Sequence, residues 1–123
     1  MLANARILIL EDEAITALEL AIAVEMANGV VLGPVGTVAA ALALLDEQAV
    51  SGALLAANLP DGEMTPFAIW LLDRGVPVIV HTGVGAPDAL QERYPDVPVY
   101  LKPSSSDRLV EALSEILFER QLA

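Results

Sequence analysis

The sequence predicts an α/β fold in which a parallel five-stranded sheet carries helices on both faces. Short apolar runs alternate with longer stretches whose apolar residues recur at helical spacing, an order typical of repeated strand and helix units. The chain has 123 residues with no visible linker or repeat, so we expect one domain over residues 1–123. Cysteine is absent and histidine occurs once, which excludes a disulfide framework and a thiolate zinc site.

Five apolar runs are too short for helices, and turn residues bound most of them. We predict strands at residues 6–10, 30–32, 53–57, 77–81 and 97–101. Right-handed crossovers between such strands give a doubly wound sheet, most simply in the flavodoxin-like order 2-1-3-4-5. The functional crevice of such a sheet lies beyond the carboxyl ends of the first and third strands.

The first predicted helix covers residues 13–27 and ends at Asn28 and Gly29, which suit a helix C-terminus. Its apolar side chains recur at spacings of three or four and therefore share one helical face. These side chains are Ile15, Leu18, Ile22 and Met26.

The next two helices are bounded by capping residues. Thr37 can cap a second helix that runs to about Glu47. Its buried stripe is predicted to be Ala40, Ala41, Leu44 and Leu45. A third helix begins at Thr65 or Pro66 and ends near Arg74, with Phe67 and Trp70 packed on the sheet.

The last two helices differ in length. Pro87 can start a short fourth helix through Arg93, because Pro95 prevents a longer one. A final helix follows the serine run at residues 104–106, which we expect to cap it, and reaches about Leu122. Its inward side chains are predicted to be Leu109, Leu113, Ile116 and Leu117.

Charge and hydropathy limit the partners of the chain. Six Lys and Arg against seventeen Asp and Glu give a net charge of −11, which repels nucleic acid and anionic lipid. No apolar run reaches the roughly 18 residues of a membrane-spanning helix, and no secretion signal is visible. We therefore expect a cytoplasmic protein that binds neither nucleic acid nor membrane.

Polar residues follow four of the predicted strands. They are Glu11-Asp12-Glu13, Asn58, Thr82 and Lys102. Adjacent carboxylates suit Mg²⁺, whereas a hydroxyl and an ammonium suit a phosphoryl oxygen. The alternatives stay open at this point: the acids favour the start of any helix, Thr82 suits an ordinary turn, and Lys102 suits a solvated strand end.

The motifs at these strand ends resemble those of response regulator receiver (CheY-like) domains of two-component phosphorelay signalling, and most of all those of short, stand-alone receivers. The matching segments are ILILEDE at 7–13, NLPDG at 58–62, VHTG at 80–83 and LKP at 101–103. Each match is short, but the four occur in order and at the corresponding strand ends. The resemblance implies a non-enzymatic signalling module.

The resemblance also implies that the third strand ends in a phospho-accepting aspartate two residues before Asn58. Ala56 stands there, and a methyl group can neither attack phosphorus nor bind a metal. We therefore predict a degenerate receiver, or pseudo-receiver, without a catalytic residue.

The remaining pocket roles are carried over in the same way. Glu11, Asp12 and the backbone carbonyl of Asn58 resemble metal ligands, weak or vestigial here, so no cofactor is required and Mg²⁺ binds weakly at most. Thr82 and Lys102 resemble the groups that contact phosphoryl oxygens. In the family, an aromatic residue usually precedes the lysine by three positions, but Val99 occupies that position in this chain. Tyr100 is displaced by one position onto the opposite strand face.

Three functions follow from these residues. The first is phosphorylation-independent binding to a histidine kinase, a phosphotransfer protein or another receiver, with a homodimer left open. The second is a conventional phosphorylatable receiver, if Ala56 is engineered or if another acid such as Asp61 or Glu63 accepts phosphate. The third is a small-ligand-binding flavodoxin-like domain, which the absence of a glycine-rich phosphate loop argues against. His81 is expected to be a hydrogen-bonded core or rim residue.

Overall fold

The computed structural model describes residues 2–122, except the side chains of residues 46 and 47. Its elements in chain order are β1 (Arg6–Leu10), α1 (Ala14–Met26), β2 (Val30–Val35), α2 (Val38–Glu47), β3 (Gly52–Ala56), β4 (Asn58–Leu59), β5 (Gly62–Glu63), α3 (Thr65–Asp73), β6 (Val78–Thr82), α4 (Asp88–Arg93), β7 (Val99–Leu101) and α5 (Ser106–Leu122). None of the helices within residues 2–122 combines the length and apolar character needed to cross a bilayer.

Five parallel strands form the main sheet in the order β2-β1-β3-β6-β7. Counted without the short β4–β5 hairpin, this is the predicted order 2-1-3-4-5, and the predicted doubly wound α/β class is confirmed. Because all five strands run in the same direction, their carboxyl ends meet at one edge of the sheet.

The helices cover the sheet on both faces. One apolar cluster joins the sheet to α2, α3 and α4 through residues such as Ala41, Phe67 and Leu90. The other joins it to α1 and α5 through residues such as Leu20 and Leu113. Along β1, successive residues alternate between these two clusters, as the pleat requires: Leu8 and Leu10 belong to the first, Ile7 and Ile9 to the second. A side chain's place in the strand therefore decides which helices it meets.

The predicted caps are confirmed. Thr37 Oγ1 accepts a hydrogen bond from the Ala40 amide at 3.1 Å, at the start of α2. Ser105 Oγ accepts one from the Arg108 amide at 3.1 Å, at the start of α5. Asn28 follows α1 with a left-handed φ of 64°. These local hydrogen bonds and turns satisfy backbone groups at helix ends that have no partner within the helix.

The bounds of β1 match the prediction, those of the other four strands of the main sheet differ from it by up to three residues, and the β4–β5 hairpin was not predicted. The largest difference is β2, which continues past Leu32 through Gly33 and Pro34 to Val35. Proline lacks the amide proton of a central strand, but β2 lies at the edge of the sheet, where proline is tolerated. The predicted order 2-1-3-4-5 already places this strand at an edge, so the continuation through Pro34 is compatible with it.

The four apolar residues that were predicted to share one face of α1 do not face the core. Ile15, Leu18, Ile22 and Met26 are 76%, 60%, 47% and 77% exposed. The helix instead packs on the sheet through the opposite face, whose buried residues are Ala17, Leu20, Ala21, Ala23 and Val24. Because α1 is apolar on two faces, its periodicity could not show which one is buried. The small alanines allow the helix to lie close to the sheet.

Two leucines of α1 give a matched test of this orientation. We expect Leu20→Ala to lower the free energy of unfolding by about 2 to 5 kcal/mol, because Leu20 is 1% exposed and its removal leaves a cavity. Leu18→Ala should change it by less than about 0.5 kcal/mol. Urea unfolding of both variants measures the difference. An equal loss in the two variants would contradict the orientation of α1.

Candidate functional site

A cavity of about 280 Å³ opens at the carboxyl ends of the strands. The residues around it are Asp12, Glu13, Ala56, Ala57, Asn58, His81, Thr82, Gly83 and Lys102. The structure therefore brings together the polar residues that the sequence placed after four separate strands. Glu11 is buried beside them and is 3% exposed.

An ion pair between Glu11 and Lys102 joins two distant strands at this edge. Lys102 Nζ lies 3.0 Å from Glu11 Oε1 and 3.3 Å from Glu11 Oε2, and it also contacts the exposed Glu13 carboxylate. Glu11 follows β1 and Lys102 follows β7, with β3 and β6 between them. The lysine therefore reaches over two strand ends to neutralise a buried carboxylate.

The two partners differ in their exposure to solvent. The Glu11 side chain is 1% exposed, and burial raises the pKa of its carboxyl above its usual range, although Lys102 and the Glu13 amide oppose that change. Burial alone would lower the pKa of Lys102, but its contacts with Glu13 and Glu11 together raise it. Lys102 has two carboxylate partners and retains access to water, so its charged form is better stabilised than the charged form of Glu11.

Thr82 is also engaged within its own loop. Its hydroxyl donates a hydrogen bond to the Gly85 carbonyl at 3.1 Å and accepts one from the Val84 amide at 3.2 Å. Both groups that suit a phosphoryl oxygen, the Thr82 hydroxyl and the Lys102 ammonium, therefore have partners inside the protein.

Ala56 lies between two polar side chains on neighbouring strands. On one side, Ala56 pairs with His81 of β6. On the other side, Leu55 pairs with Leu10 of β1, so the next residue of each strand places Ala56 beside Glu11. The small alanine leaves room for His81 Nδ1 to come within 4.0 Å of Glu11 Oε1. Ala56 itself is 3% exposed.

His81 is buried, as predicted, but the expected hydrogen bond is missing. Neither ring nitrogen has a hydrogen-bond partner among the described residues. Burial and the charge of Lys102 lower the pKa of His81, with Glu13 opposing them, so the imidazole is neutral at physiological pH. Sequence reasoning missed that His81 forms part of the cavity wall. The available signal was its position directly before Thr82.

Solved structures resemble this chain, although no family model and no curated protein sequence matches it. SdrG from Sphingomonas melonis Fr1 is 36% identical, with 95% of this chain and 99% of SdrG covered and a TM-score of 0.75. The response regulator PhyR from Brucella abortus is 28% identical over 95% of this chain and 49% of its own, with a TM-score of 0.76. A CheY-like response regulator receiver domain protein from Methanospirillum hungatei JF-1 shares the fold, at 24% identity over 96% of this chain and 97% of its own, with a TM-score of 0.83.

The chain belongs to the response regulator receiver family. The fold, the strand-end motifs and the similarity to these proteins agree on this assignment. The role of the receiver is therefore in two-component signalling.

The acids of the cavity offer an incomplete donor set for a metal ion. Asp12 is exposed at the cavity, but Glu11 is occupied by Lys102, and Ala56 contributes only a methyl group. Within residues 2–122 no three Asp, Glu, His or Cys side chains are grouped as metal ligands would be. Mg²⁺ binding by Glu11, Asp12 and the Asn58 carbonyl stays a prediction.

The two acids considered as substitute phosphate acceptors are engaged elsewhere. The Asp61 carboxylate accepts hydrogen bonds from the Val38 and Ala39 amides at 2.9 and 3.0 Å, and these bonds lower its pKa. Asp61 therefore caps the start of α2. Glu63 accepts a hydrogen bond from the Thr65 hydroxyl. Neither acid is among the residues that line the cavity.

Val99 and Tyr100 lie on opposite faces of β7, as predicted. Val99 packs with the cluster that contains α2, α3 and α4, whereas Tyr100 packs with the cluster that contains α1 and α5. The Arg108 guanidinium lies 5.7 Å from the centre of the Tyr100 ring. The Tyr100 ring therefore lies on the opposite face of the strand from Val99, which stands where the resemblance implies an aromatic residue.

The raised pKa of Glu11 predicts a pH dependence of stability. A carboxyl whose pKa is higher in the folded state favours folding fully below its unfolded pKa, and that contribution is lost as pH rises through the folded pKa. We therefore expect the stability of the wild type, relative to Glu11→Gln, to fall as the pH rises from 4 towards neutrality.

Urea unfolding across this pH range, in buffer containing EDTA, measures that difference. Glu19→Gln removes an exposed carboxylate of α1 and serves as the control. A difference between wild type and Glu11→Gln that increases with pH would show that the ion pair outweighs burial at Glu11.

Proposed function

We propose that this receiver is a phosphorylation-independent binding module of two-component signalling. The observation that carries the proposal is Ala56 at the end of β3, inside the cavity where the receiver motif has its phospho-acceptor. Formation of an aspartyl phosphate requires a carboxylate nucleophile. A methyl group gives the pocket no such nucleophile.

The internal contacts of the pocket support this proposal. Lys102 is paired with Glu11 and Glu13, and the Thr82 hydroxyl is bonded within its loop. A phosphoryl group would have to break these contacts before it could gain its own. The two groups that would contact a phosphoryl oxygen therefore already have internal partners without phosphate, which suits a constant binding surface better than a switch.

The partners that fit such a module are signalling proteins. A histidine kinase, a phosphotransfer protein or another receiver would bind and be held or blocked, without transfer of phosphate to this chain. We further propose that the receiver is cytoplasmic, is not an enzyme, and binds Mg²⁺ weakly at most, because one ligand position is lost at Ala56.

A conventional receiver is the main alternative. It would apply if alanine had been introduced at position 56 in place of aspartate, or if another acid accepted phosphate. The helix cap formed by Asp61 argues against the second route, because phosphorylation would disrupt two backbone hydrogen bonds. A small-ligand site has weaker support, since the cavity's ammonium and threonine hydroxyl are already bonded internally.

Labelling with radioactive acetyl phosphate and Mg²⁺ tests the proposal. We expect background labelling of the wild type, because no carboxylate stands at position 56, and base-labile labelling at least about tenfold higher in Ala56→Asp, which supplies the missing nucleophile.

Stoichiometric, base-labile labelling of the wild type would contradict the proposal. The variants Asp61→Asn and Glu63→Gln would then identify the acid responsible, since loss of the label in only one of them assigns the acceptor.

A further inference from the structure

Another cavity opens at the amino-terminal edge of the sheet. It encloses about 390 Å³ and lies against the start of β6 at Val78, the loop that leads into β7, and the last turns of α5. Strand β6 ends at Thr82, so about 13 Å of strand separates this cavity from the one that contains Ala56. We call it the amino-edge cavity.

The walls of the amino-edge cavity are mostly apolar. Aliphatic side chains reach it from α3, β6, the loop before β7 and α5, and they are Leu72, Val78, Val97 and Ile116. Three prolines also line it, Pro77, Pro95 and Pro98. Because the proline ring fixes the φ angle, these parts of the wall are held in one conformation. A concave, preformed and mostly apolar cavity of this size is typical of small-molecule sites.

Two arginines line the amino-edge cavity, and they differ in their partners. Arg93 Nη2 lies 2.9 Å from Asp73 Oδ2, so the charge of Arg93 is already paired. Arg120 Nη1 donates a hydrogen bond to the Gly75 carbonyl. The ion pairs among residues 2–122 include none that involves Arg120. A guanidinium has more N–H donors than this one bond uses, so Arg120 can bind a further acceptor.

A local excess of basic residues is unusual in this chain. The net charge is −11 and only six residues are Lys or Arg, yet two of them line the amino-edge cavity, where the described lining contains one acid, Asp96. The net charge of the chain repels an anion, whereas the charge of this lining attracts it. Apolar walls beside an unpaired guanidinium suit an apolar molecule that carries one anionic group.

The prolines of the lining disfavour a peptide as the occupant. An extended peptide binds through backbone hydrogen bonds to an exposed strand or loop, and proline has no amide proton to donate. The Pro98 carbonyl already accepts a hydrogen bond from the Val80 amide at 2.9 Å. A compact ligand, in contrast, needs only the apolar walls and the guanidinium.

We propose that the amino-edge cavity binds a small apolar carboxylic acid, with its carboxylate on Arg120 and its apolar body against Val97 and Ile116. The planar guanidinium and a carboxylate match in geometry and can form two parallel hydrogen bonds. The inference goes beyond the proposed function and does not depend on it, because the cavity lies at the opposite end of β6 from the candidate phosphoryl site.

The compound 2-naphthoate provides the probe, because it joins a rigid apolar body to one carboxylate. It is titrated into the full ¹⁵N-labelled chain at neutral pH in buffer containing EDTA and no phosphoryl donor. We expect saturable shifts of amides within residues 93–97 and 116–120. The uncharged 2-naphthamide has the same rings and should bind at least about threefold more weakly, because it lacks the charge-assisted hydrogen bonds.

Variants of the chain test the role of the guanidinium. Arg120→Gln should weaken naphthoate binding about fivefold and remove the difference between the two probes. Arg120→Lys keeps the charge but loses the planar fork, so its affinity should be intermediate. Arg108→Gln removes the same charge from α5 outside the cavity, where Arg108 faces the Tyr100 ring, and should leave the affinity within about twofold. Asp96→Asn removes the acid of the lining and should strengthen binding about twofold.

Several outcomes would overturn the inference. They are the absence of saturable shifts, shifts confined to Thr82 and Lys102, equal binding of the two probes to the wild type, or equal losses in Arg120→Gln and Arg108→Gln. Tighter binding of a short peptide with a C-terminal leucine than of 2-naphthoate would also overturn it, because a protein C-terminus would then be the occupant. Labelling of the wild type by acetyl phosphate would reject the proposed function and leave naphthoate binding unchanged.

Discussion

The arrangement of this receiver depends on a carboxylate that is buried at the end of a central strand. Glu11 is almost inaccessible to water, and a buried charge without a partner would destabilise the fold strongly. Lys102 supplies that partner from the far edge of the sheet. The pair ties the ends of β1 and β7 together across the cavity, so the contact that stabilises the site also occupies the ammonium that a phosphoryl group would need.

Ala56 makes this arrangement possible. An aspartate at this position would add a third carboxylate between Glu11 and His81 and would compete for Lys102. With alanine there, His81 and Glu11 approach each other across β3, and among the described residues the lysine pairs with Glu11 and Glu13. The loss of one side chain thus changes both the chemistry of the pocket and the set of charges that the pocket balances.

Much of the fold could be predicted from the sequence, because strands and caps depend on local patterns. The Thr37 cap and the cap within the serine run follow from such patterns, whereas the strand order follows from right-handed crossovers between successive strands. The polar residues of the cavity were also predictable, because parallel strands end at one edge. The orientation of α1 was not, since both of its faces are apolar and only tertiary packing selects one. The pairing of Lys102 with Glu11 depends on the distance between the ends of β1 and β7, which local patterns do not contain.

We propose that this pocket does not respond to a phosphoryl group, because Lys102 and Thr82 already have partners and Ala56 offers no acceptor. An amide NMR titration with Mg²⁺ and then beryllofluoride, a phosphoryl mimic, tests it most directly, with Ala56→Asp measured in parallel. The claim predicts that the amides of Thr82 and Lys102 shift on beryllofluoride addition in the variant and stay unchanged in the wild type. A saturable shift of these amides in the wild type would contradict it, and would show that another group has taken the place of the missing aspartate.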